Sequence, residues 1–461
     1  MMAATNGKTM TDLQQLEALT EYLASLDAQS LPDDIRETAR ACLLYGLAVG
    51  IATKRARPAR LAESASTMDE GGAAATRLID GAKTSRSNAV FANAVLLSGR
   101  VQGDSHPCGH IGGVVIPAAL AAAEQAGASG AELLSAMICG YESALRIGRD
   151  HGADLSVRGF RTTPCYGVFG AAIAGGRIRR FDMKKMLNAI GLAANFAGGL
   201  REYVDPGTEE SPFQAGFAAR NGLHVSDLIE CGLMAAPSAL HGKAGFYAAF
   251  GAGRDDYGRR LAENLGTHFE FTTVTFKQYP ACQFLRGIIR GMANLHAQAP
   301  DAVPTLIELH MNPYEADFIG VRFTGPFTTA AQTVMSAPFC AALAWASGTA
   351  SFDGLRDFDN VGVNQLVAKT KMFADPERAK YEPLMRVVCE DGGTLVWEEK
   401  GGDAGYRMNW KDAVKMTHQL CDEVAVPVKI ADALIGQVVQ VAELRDVKPL
   451  VAAVCAATCL K

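Results

Sequence analysis

PAALAAAEQAGASGAELLSAMICGYESALRIGR, residues 117–149, decides the class of fold. Pro117 opens an alanine-rich helix that runs to Gln125, since proline is at home in a first helical turn. Ser129 and Glu132 have the spacing of a capping box, in which a serine side chain and a glutamate side chain satisfy each other's backbone N–H groups. The helix they start is long and ends near Arg149. Alanine and glycine crowd both segments, and small residues let helix axes approach closely. The stretch therefore predicts a tightly packed helical bundle.

The pattern extends outward from there. Upstream, Leu13, Leu16, Leu19 and Leu23 recur at helical spacing, and Pro32-Asp33-Asp34 reads as a helix start whose acidic side chains suit the helix dipole. Downstream, Asp182 caps a helix over Met183–Asn195, which Gly198-Gly199 terminates. Residues 10–265 thus read as mostly helical. The character changes near residue 268. Phe269–Phe276 and Thr305–Met311 read as strands, and Arg386–Cys389 and Thr394–Trp397 flank Asp391-Gly392-Gly393 as a hairpin. Helical patterns cover Phe284–Leu295 and Ala330–Ala346, and the helical character returns from Trp410. Stretches near 205–212 and 400–405 read as loops. The expected fold is mainly α: a helical domain from residues 1–267 and 401–461, with an α+β lid domain, 268–400, inserted.

Composition narrows the function. The chain has 461 residues, 49% hydrophobic and 20% charged, with net charge −5. That balance suits a globular protein with a large core and excludes a basic nucleic-acid footprint. Ala41 to Ala52 is the longest apolar stretch and is too short to span a membrane. MMAATNGKTMTDLQQ lacks the apolar core of a secretory signal, so a cytoplasmic location is expected. The eleven cysteines are scattered singly without a C-x-x-C, which reads as reduced thiols packed as small apolar groups and gives no support to an iron–sulfur cluster. No nucleotide-binding glycine loop or nucleophile elbow is present.

Four segments carry the polar chemistry. Gly103-Asp-Ser-His-Pro-Cys-Gly-His110 lies in a Gly/Pro loop between apolar helices. Asp104, His106 and His110 are candidates for a base, its orienting partner and a charge partner, with a helix N-terminus behind them that favours an anion. A metal site and a structural loop with a capping Asp are alternative readings of the same residues. In the second segment, Arg158 and Arg161 precede a Gly/Ala-rich helix, where paired guanidinium groups can clamp a carboxylate; the alternative is a surface turn. Third, Lys277, Tyr279 and Cys282 follow a strand-like run, and Lys277 reads as an anion clamp or proton-transfer group unless it is a solvated charge. The fourth, Gly216-Phe-Ala-Ala-Arg-Asn-Gly222, suggests close helix packing, with Arg220 structural or facing a pocket.

In this order the segments resemble the MmgE/PrpD family, which includes 2-methylcitrate dehydratase, cis-aconitate decarboxylase and iminodisuccinate epimerase. The resemblance rests on Asp104-Ser105-His106, His110 through Leu120, Gly140-Tyr141-Glu142 with Arg146, the run 216–222 and Lys277 through Cys282. It implies a helical domain with an α+β lid, a homodimer, a site between the domains and neither metal nor organic cofactor. The implied chemistry is removal of a proton beside a carboxylate of a small acid, with loss of water or CO2, or epimerisation at that carbon. Asp104, His106, His110, Lys277 and Cys282 are then the candidate catalytic residues. Arg161, Thr162, Ser211, Gln214, Tyr279 and Phe339 are the candidate substrate-binding residues. Several positions depart from the family pattern: Arg161, Ser211, Gln214 and Phe339 stand where His, Lys, His and Tyr are common, and Glu209 and Glu210 add negative charge. The lost cations predict an altered substrate, with fewer carboxylates or with a cationic or apolar group near those glutamates. A catalytically degenerate binding or structural dimer is the non-enzymatic alternative.

Overall fold

The computed structural model describes residues 10–68 and 71–460. Residues 1–9, most of the stretch weighed above as a signal peptide, lie outside the described residues. The fold is mainly α, with one two-stranded and one four-stranded sheet among the described residues.

The helical body forms for the reasons its sequence gives. Thr11 and Gln14 close a capping box on Asp12–Ser25, and Leu16, Leu19 and Leu23 bury along one stripe. Pro32 immediately precedes Asp33–Thr53. Ser129 and Glu132 close the expected box on Gly130–Gly148, and Asp182 caps Met183–Ala193. Small residues set the crossings. A Cβ on Gly140 would meet the Gly170 carbonyl at 2.8 Å, and one on Gly222 would meet Ala171 Cβ at 2.4 Å. The helix Thr162–Ile178 therefore lies in close contact with both Gly130–Gly148 and Glu210–Glu230. Arg220 stacks its guanidinium over the Phe217 ring at 4.8 Å and serves packing.

Two large hydrophobic cores divide the molecule, beside a small third cluster of Ala62, Ala92 and Val95. One joins buried residues from Leu16 to Phe276 with Met408 to Ala457, so both parts of the chain build it; Trp410–Glu423 packs on Asp33–Thr53. The other runs from Ala281 to Cys389. There the strand order is Thr370–Ala374, Pro304–Met311, Leu384–Cys389, Thr394–Glu398. The first pair is parallel and the others antiparallel. Ile307, Leu309, Met311, Met385, Val387 and Cys389 alternate onto one buried face, which the helix Arg286–Gln298 covers, packed in turn against Ala337–Ser347.

Several local expectations are corrected. Phe269–Phe276 is not a strand; Glu270–Thr273 is a 3-10 turn, and only Thr275 makes isolated bridges, to Ser105 and Arg407. The Phe271 N–H donates to the Glu142 carboxylate at 2.8 Å, and Phe269, Phe271, Val274 and Phe276 all bury in the helical core, so tertiary contacts override β-propensity. Pro117 does not open its helix but sits inside Gly112–Ala126, which starts earlier because Asp104 receives the Gly112 N–H. Ala330–Ala346 is two helices, Ala330–Thr333 and Ala337–Ser347; Ser336 caps the second and Pro338 occupies its first turn. The loop near 205–212 gives way at Glu210 to the helix Glu210–Glu230. All eleven cysteines are free and most are buried. Among the described residues no helix is long and apolar enough to cross a membrane.

Candidate active site

The loop 101–110 is held in an unusual path. Val101 has φ 57°, a conformation a β-branched residue rarely adopts, and lies at the cavity described below. Ser105 exchanges backbone hydrogen bonds with Thr275 at 2.7 and 2.8 Å, and His106 does so with Gly109. Gly109 has φ 106°, and a Cβ there would meet the Thr163 nitrogen at 2.7 Å, so the loop lies directly against the start of Thr162–Ile178.

This packing separates the roles of the three titratable residues of the loop. The Asp104 carboxylate is buried; it accepts the Gly112 N–H at 3.0 Å and the Tyr141 hydroxyl at 2.6 Å, and so caps the helix behind it. Burial pushes it up to about 6 despite those hydrogen bonds. Its backbone carbonyl contacts His110 Nδ1 at 2.6 Å. A carbonyl only accepts, so Nδ1 carries the proton and Nε2 keeps the lone pair. Burial, with Lys277 and Arg161 nearby, holds His110 well below the usual histidine range, so the ring is neutral near pH 7. His106 uses both nitrogens elsewhere. Nδ1 accepts from the Cys108 N–H at 3.1 Å, and Nε2 faces Glu270 at 3.7 Å. Burial would raise Glu270, but His106 and Arg149 outweigh it and hold the carboxyl at about 2.

Between the two cores lies a cavity of about 310 Å³, a size suited to a small acid. Of the expected residues, His106, His110, Arg161, Thr162, Ser211, Lys277 and Cys282 line it. Lys277 is buried; its Nζ donates to the Ala281 carbonyl at 3.1 Å, and burial, reinforced by Arg286 and Arg161, lowers it to about 7. Its peptide carbonyl accepts from the Tyr45 hydroxyl at 2.8 Å, which fixes the residue against the helical body. Arg161 precedes the first residue of Thr162–Ile178 and spends one N–H on the Ser211 carbonyl at 2.6 Å. That helix start has no side-chain cap, so its N–H groups add to the positive field of the cavity. Burial raises the Cys282 thiol, which keeps it protonated.

Besides Asp104, which caps the helix behind the loop, three expected residues are not along the cavity. Gln214 turns its amide to the Leu200 carbonyl at 2.9 Å. Tyr279 faces a separate cleft with Arg100 and Arg290. Phe339 is fully buried in the second core, its ring against Phe327 at 4.9 Å. Arg158 is also diverted, donating to the Ala249 and Gly251 carbonyls at 2.8 and 2.6 Å, so it does not pair with Arg161 at the cavity. Glu209 and Glu210 line an outer groove, where Glu209 pairs with Arg57.

The cavity has cations that the sequence reading missed. Arg201 and Lys380 join Arg161 and Lys277 on its wall, and no Asp or Glu is among its lining residues. Arg201 follows Gly198-Gly199, and the Gly199 carbonyl accepts the Arg161 N–H at 2.9 Å, so the glycine pair marks a loop as well as a helix end. Lys380 sits in a polar loop with no signal to separate it from a solvated surface lysine. Among the described residues no group of three or more His, Cys, Asp or Glu side chains converges as a metal site would require.

Comparison with known proteins adds to this geometry. Residues 17–257 match the model of the MmgE/PrpD N-terminal domain. The matched segment contains His110, Arg161 and Arg201 and ends before Lys277. Over 297 residues the chain is 28% identical to cis-aconitate decarboxylase of Aspergillus terreus, covering 61% of this chain and 60% of that protein. It is 26% identical over 298 residues to the cis-aconitate decarboxylase-like protein oryM of Aspergillus oryzae (strain ATCC 42149 / RIB 40), covering 61% and 62%. The matches thus span about three fifths of the length of these relatives.

Proposed function

The chain belongs to the MmgE/PrpD family, and from that premise we propose that it is a cofactor-independent lyase for a small acid with two or more carboxylates. It removes a proton beside one carboxylate and expels water, or it expels CO2 and protonates the carbon left behind. The observation that carries this reading is the wall of the cavity: four cationic side chains, a neutral histidine and no carboxylate. Lys277 is buried and Arg161 and Arg201 are half-buried, none of them in an ion pair among the described residues, and such partly desolvated charges suit a polyanion that supplies the opposite ones. The shortage of cations expected from Ser211 and Gln214 is offset by Arg201 and Lys380. Because Glu209 and Glu210 lie off the cavity, a cationic or apolar group on the substrate is not required.

In this account His110 Nε2 takes the proton from the carbon beside a carboxylate. The Asp104 carbonyl fixes the ring, and the Asp104 carboxylate holds the loop by capping Gly112–Ala126. His106 anchors the same loop through Glu270. Arg161 and the start of Thr162–Ile178 hold the carboxylate whose charge grows as the enediolate forms, which is electrostatic catalysis by groups fixed in advance. In a dehydration the electron pair then forms the C=C bond, the C–O bond breaks, and the leaving hydroxide takes a proton from the Lys277 ammonium. In a decarboxylation no proton is removed first: the C–C bond to the carboxylate breaks, CO2 leaves, and the electron pair it leaves on carbon takes a proton from the Lys277 ammonium. A lysine held near 7 is suited to either transfer at neutral pH.

The test is turnover of a panel of di- and tricarboxylic acids, including cis-aconitate and 2-methylcitrate, followed by alkene absorbance and CO2 release. Native protein should convert at least one acid, and Lys277→Met should lose activity. Absence of turnover across the panel would move weight to the binding-dimer reading. We also propose a homodimer, on the family resemblance; a clean monomer in size-exclusion chromatography would contradict it.

A further inference from the structure

The loop after the strand Thr370–Ala374 brings one residue to the cavity in a conformation that calls for an explanation. Tyr381 has φ 63°, the left-handed region that a bulky aromatic residue rarely occupies. Such a conformation persists only where surrounding contacts over-determine it. Here the Tyr381 N–H donates to Glu315 Oε1 at 2.9 Å. Glu315 is fully buried, and its other oxygen has no partner. Asn312, which caps the short helix carrying Glu315, donates to the Arg378 carbonyl at 2.9 Å and ties down the other side of the same loop.

The result is a fixed aromatic side chain on the cavity wall. The Tyr381 ring packs on Phe284 at 5.8 Å, and the Arg286 guanidinium lies 5.1 Å from its centre. Its neighbour Lys380 reaches the same cavity, with Nζ 4.4 Å from the centre of the Tyr314 ring. The Tyr381 hydroxyl makes no hydrogen bond among the described residues, yet it is not a sealed orphan as the Tyr406 hydroxyl is. Burial raises the phenol, so it keeps its proton and can donate.

Building on the polycarboxylate reading above, we propose that Tyr381 binds substrate, its hydroxyl donating to the carboxylate that Lys380 neutralises, and that Glu315 is the positioning residue that holds Tyr381 in place through its backbone N–H. A left-handed tyrosine, a buried carboxylate spent on its peptide and a free hydroxyl at a cationic wall together form a built contact. None of these residues was singled out by the sequence.

The experiment is titration calorimetry of the full chain with tricarballylate, a saturated tricarboxylate that has no hydroxyl or alkene to react. Tyr381→Phe removes one oxygen and should weaken binding about 10- to 100-fold, the worth of a hydrogen bond to a charged group. Glu315→Ala should weaken binding in the native background and add little in the Tyr381→Phe background, whereas Glu315→Gln, which keeps an acceptor oxygen, should restore it. If Glu315→Ala does not fold, Tyr381→Gly, which accepts the left-handed backbone, should bind as weakly as Tyr381→Phe. Native affinity in Tyr381→Phe would overturn the inference while leaving the proposed function standing. Equal loss from Glu315→Ala in both backgrounds would overturn the role of Glu315. Failure of the native protein to bind both tricarballylate and the saturated dicarboxylate succinate would overturn both readings together.

Discussion

Replacing Lys277 by methionine should stabilise the protein while abolishing turnover, and the size of the gain should depend on pH. Lys277 is about 1% exposed, and its pKa falls from 10.5 to about 7. A lowered lysine is bound to its proton more tightly in the unfolded chain, so native stability rises with pH across that window. Below about pH 7 both states are protonated and the full penalty applies. Each pH unit is worth about 1.36 kcal/mol, which puts the penalty at about 5 kcal/mol near pH 6 as an upper bound. By about pH 9 two units of it are relieved, or about 3 kcal/mol. Lys277→Met removes the charge but keeps an unbranched apolar chain of similar reach. Urea unfolding should therefore find the variant more stable than native protein near pH 6, with the gap closing by about 3 kcal/mol near pH 9. A gap that does not change between the two would refute the argument that Lys277 is a desolvated, titrating amine. Stability gained at the cost of activity is common where a site holds strained or desolvated groups.

Three further outcomes follow from the same geometry. Glu270 is lowered from 4.5 to about 2 and its side chain is 11% exposed; its stabilisation is present above 4.5 and is lost as pH falls toward 2. Glu270→Gln should thus cost up to about 3 kcal/mol at neutral pH in urea titrations, with the difference vanishing in acid. Gly109→Ala places a methyl group 2.7 Å from the Thr163 nitrogen at φ 106°; it should displace His110 and lower kcat/KM about 100-fold, with circular dichroism retained. Tyr279→Phe should leave KM and kcat unchanged, because Tyr279 faces the separate cleft.

The helical body was legible in the sequence because its signals are local. The capping box at Ser129 and Glu132, the cap at Asp182 and the Pro32 start each act within one turn and are found where expected. The hairpin around Asp391-Gly392-Gly393 was legible for the same reason. Phe269–Phe276 misled because its β-forming side chains serve helix contacts, and Glu142, more than a hundred residues away, takes its backbone N–H. The candidate site divides along similar lines. The 103–110 loop and Lys277 could be picked out as polar clusters among apolar surroundings. The sequence could not tell that Asp104 caps a helix while His110 faces the cavity, since both are polar residues of one loop. Arg201, Lys380 and Tyr381 reach the wall only through the packing of the second core on the first, and no spacing in the chain encodes that contact. Phe339 and Gln214 lie off the cavity for the converse reason: their positions in the chain matched a pattern, but their side chains turn into the core and onto a backbone carbonyl.

The central claim is that His110 removes a proton beside a carboxylate within a cationic cavity. Its most direct test follows EDTA-treated protein in D2O with the acid that binds best, by proton NMR. The account predicts an alkene product, with deuterium entering the carbon beside the carboxylate whenever the step reverses, and loss of both signals in His110→Ala. Deuterium uptake without any alkene would shift the reaction to epimerisation, and unchanged chemistry in His110→Ala would contradict the account.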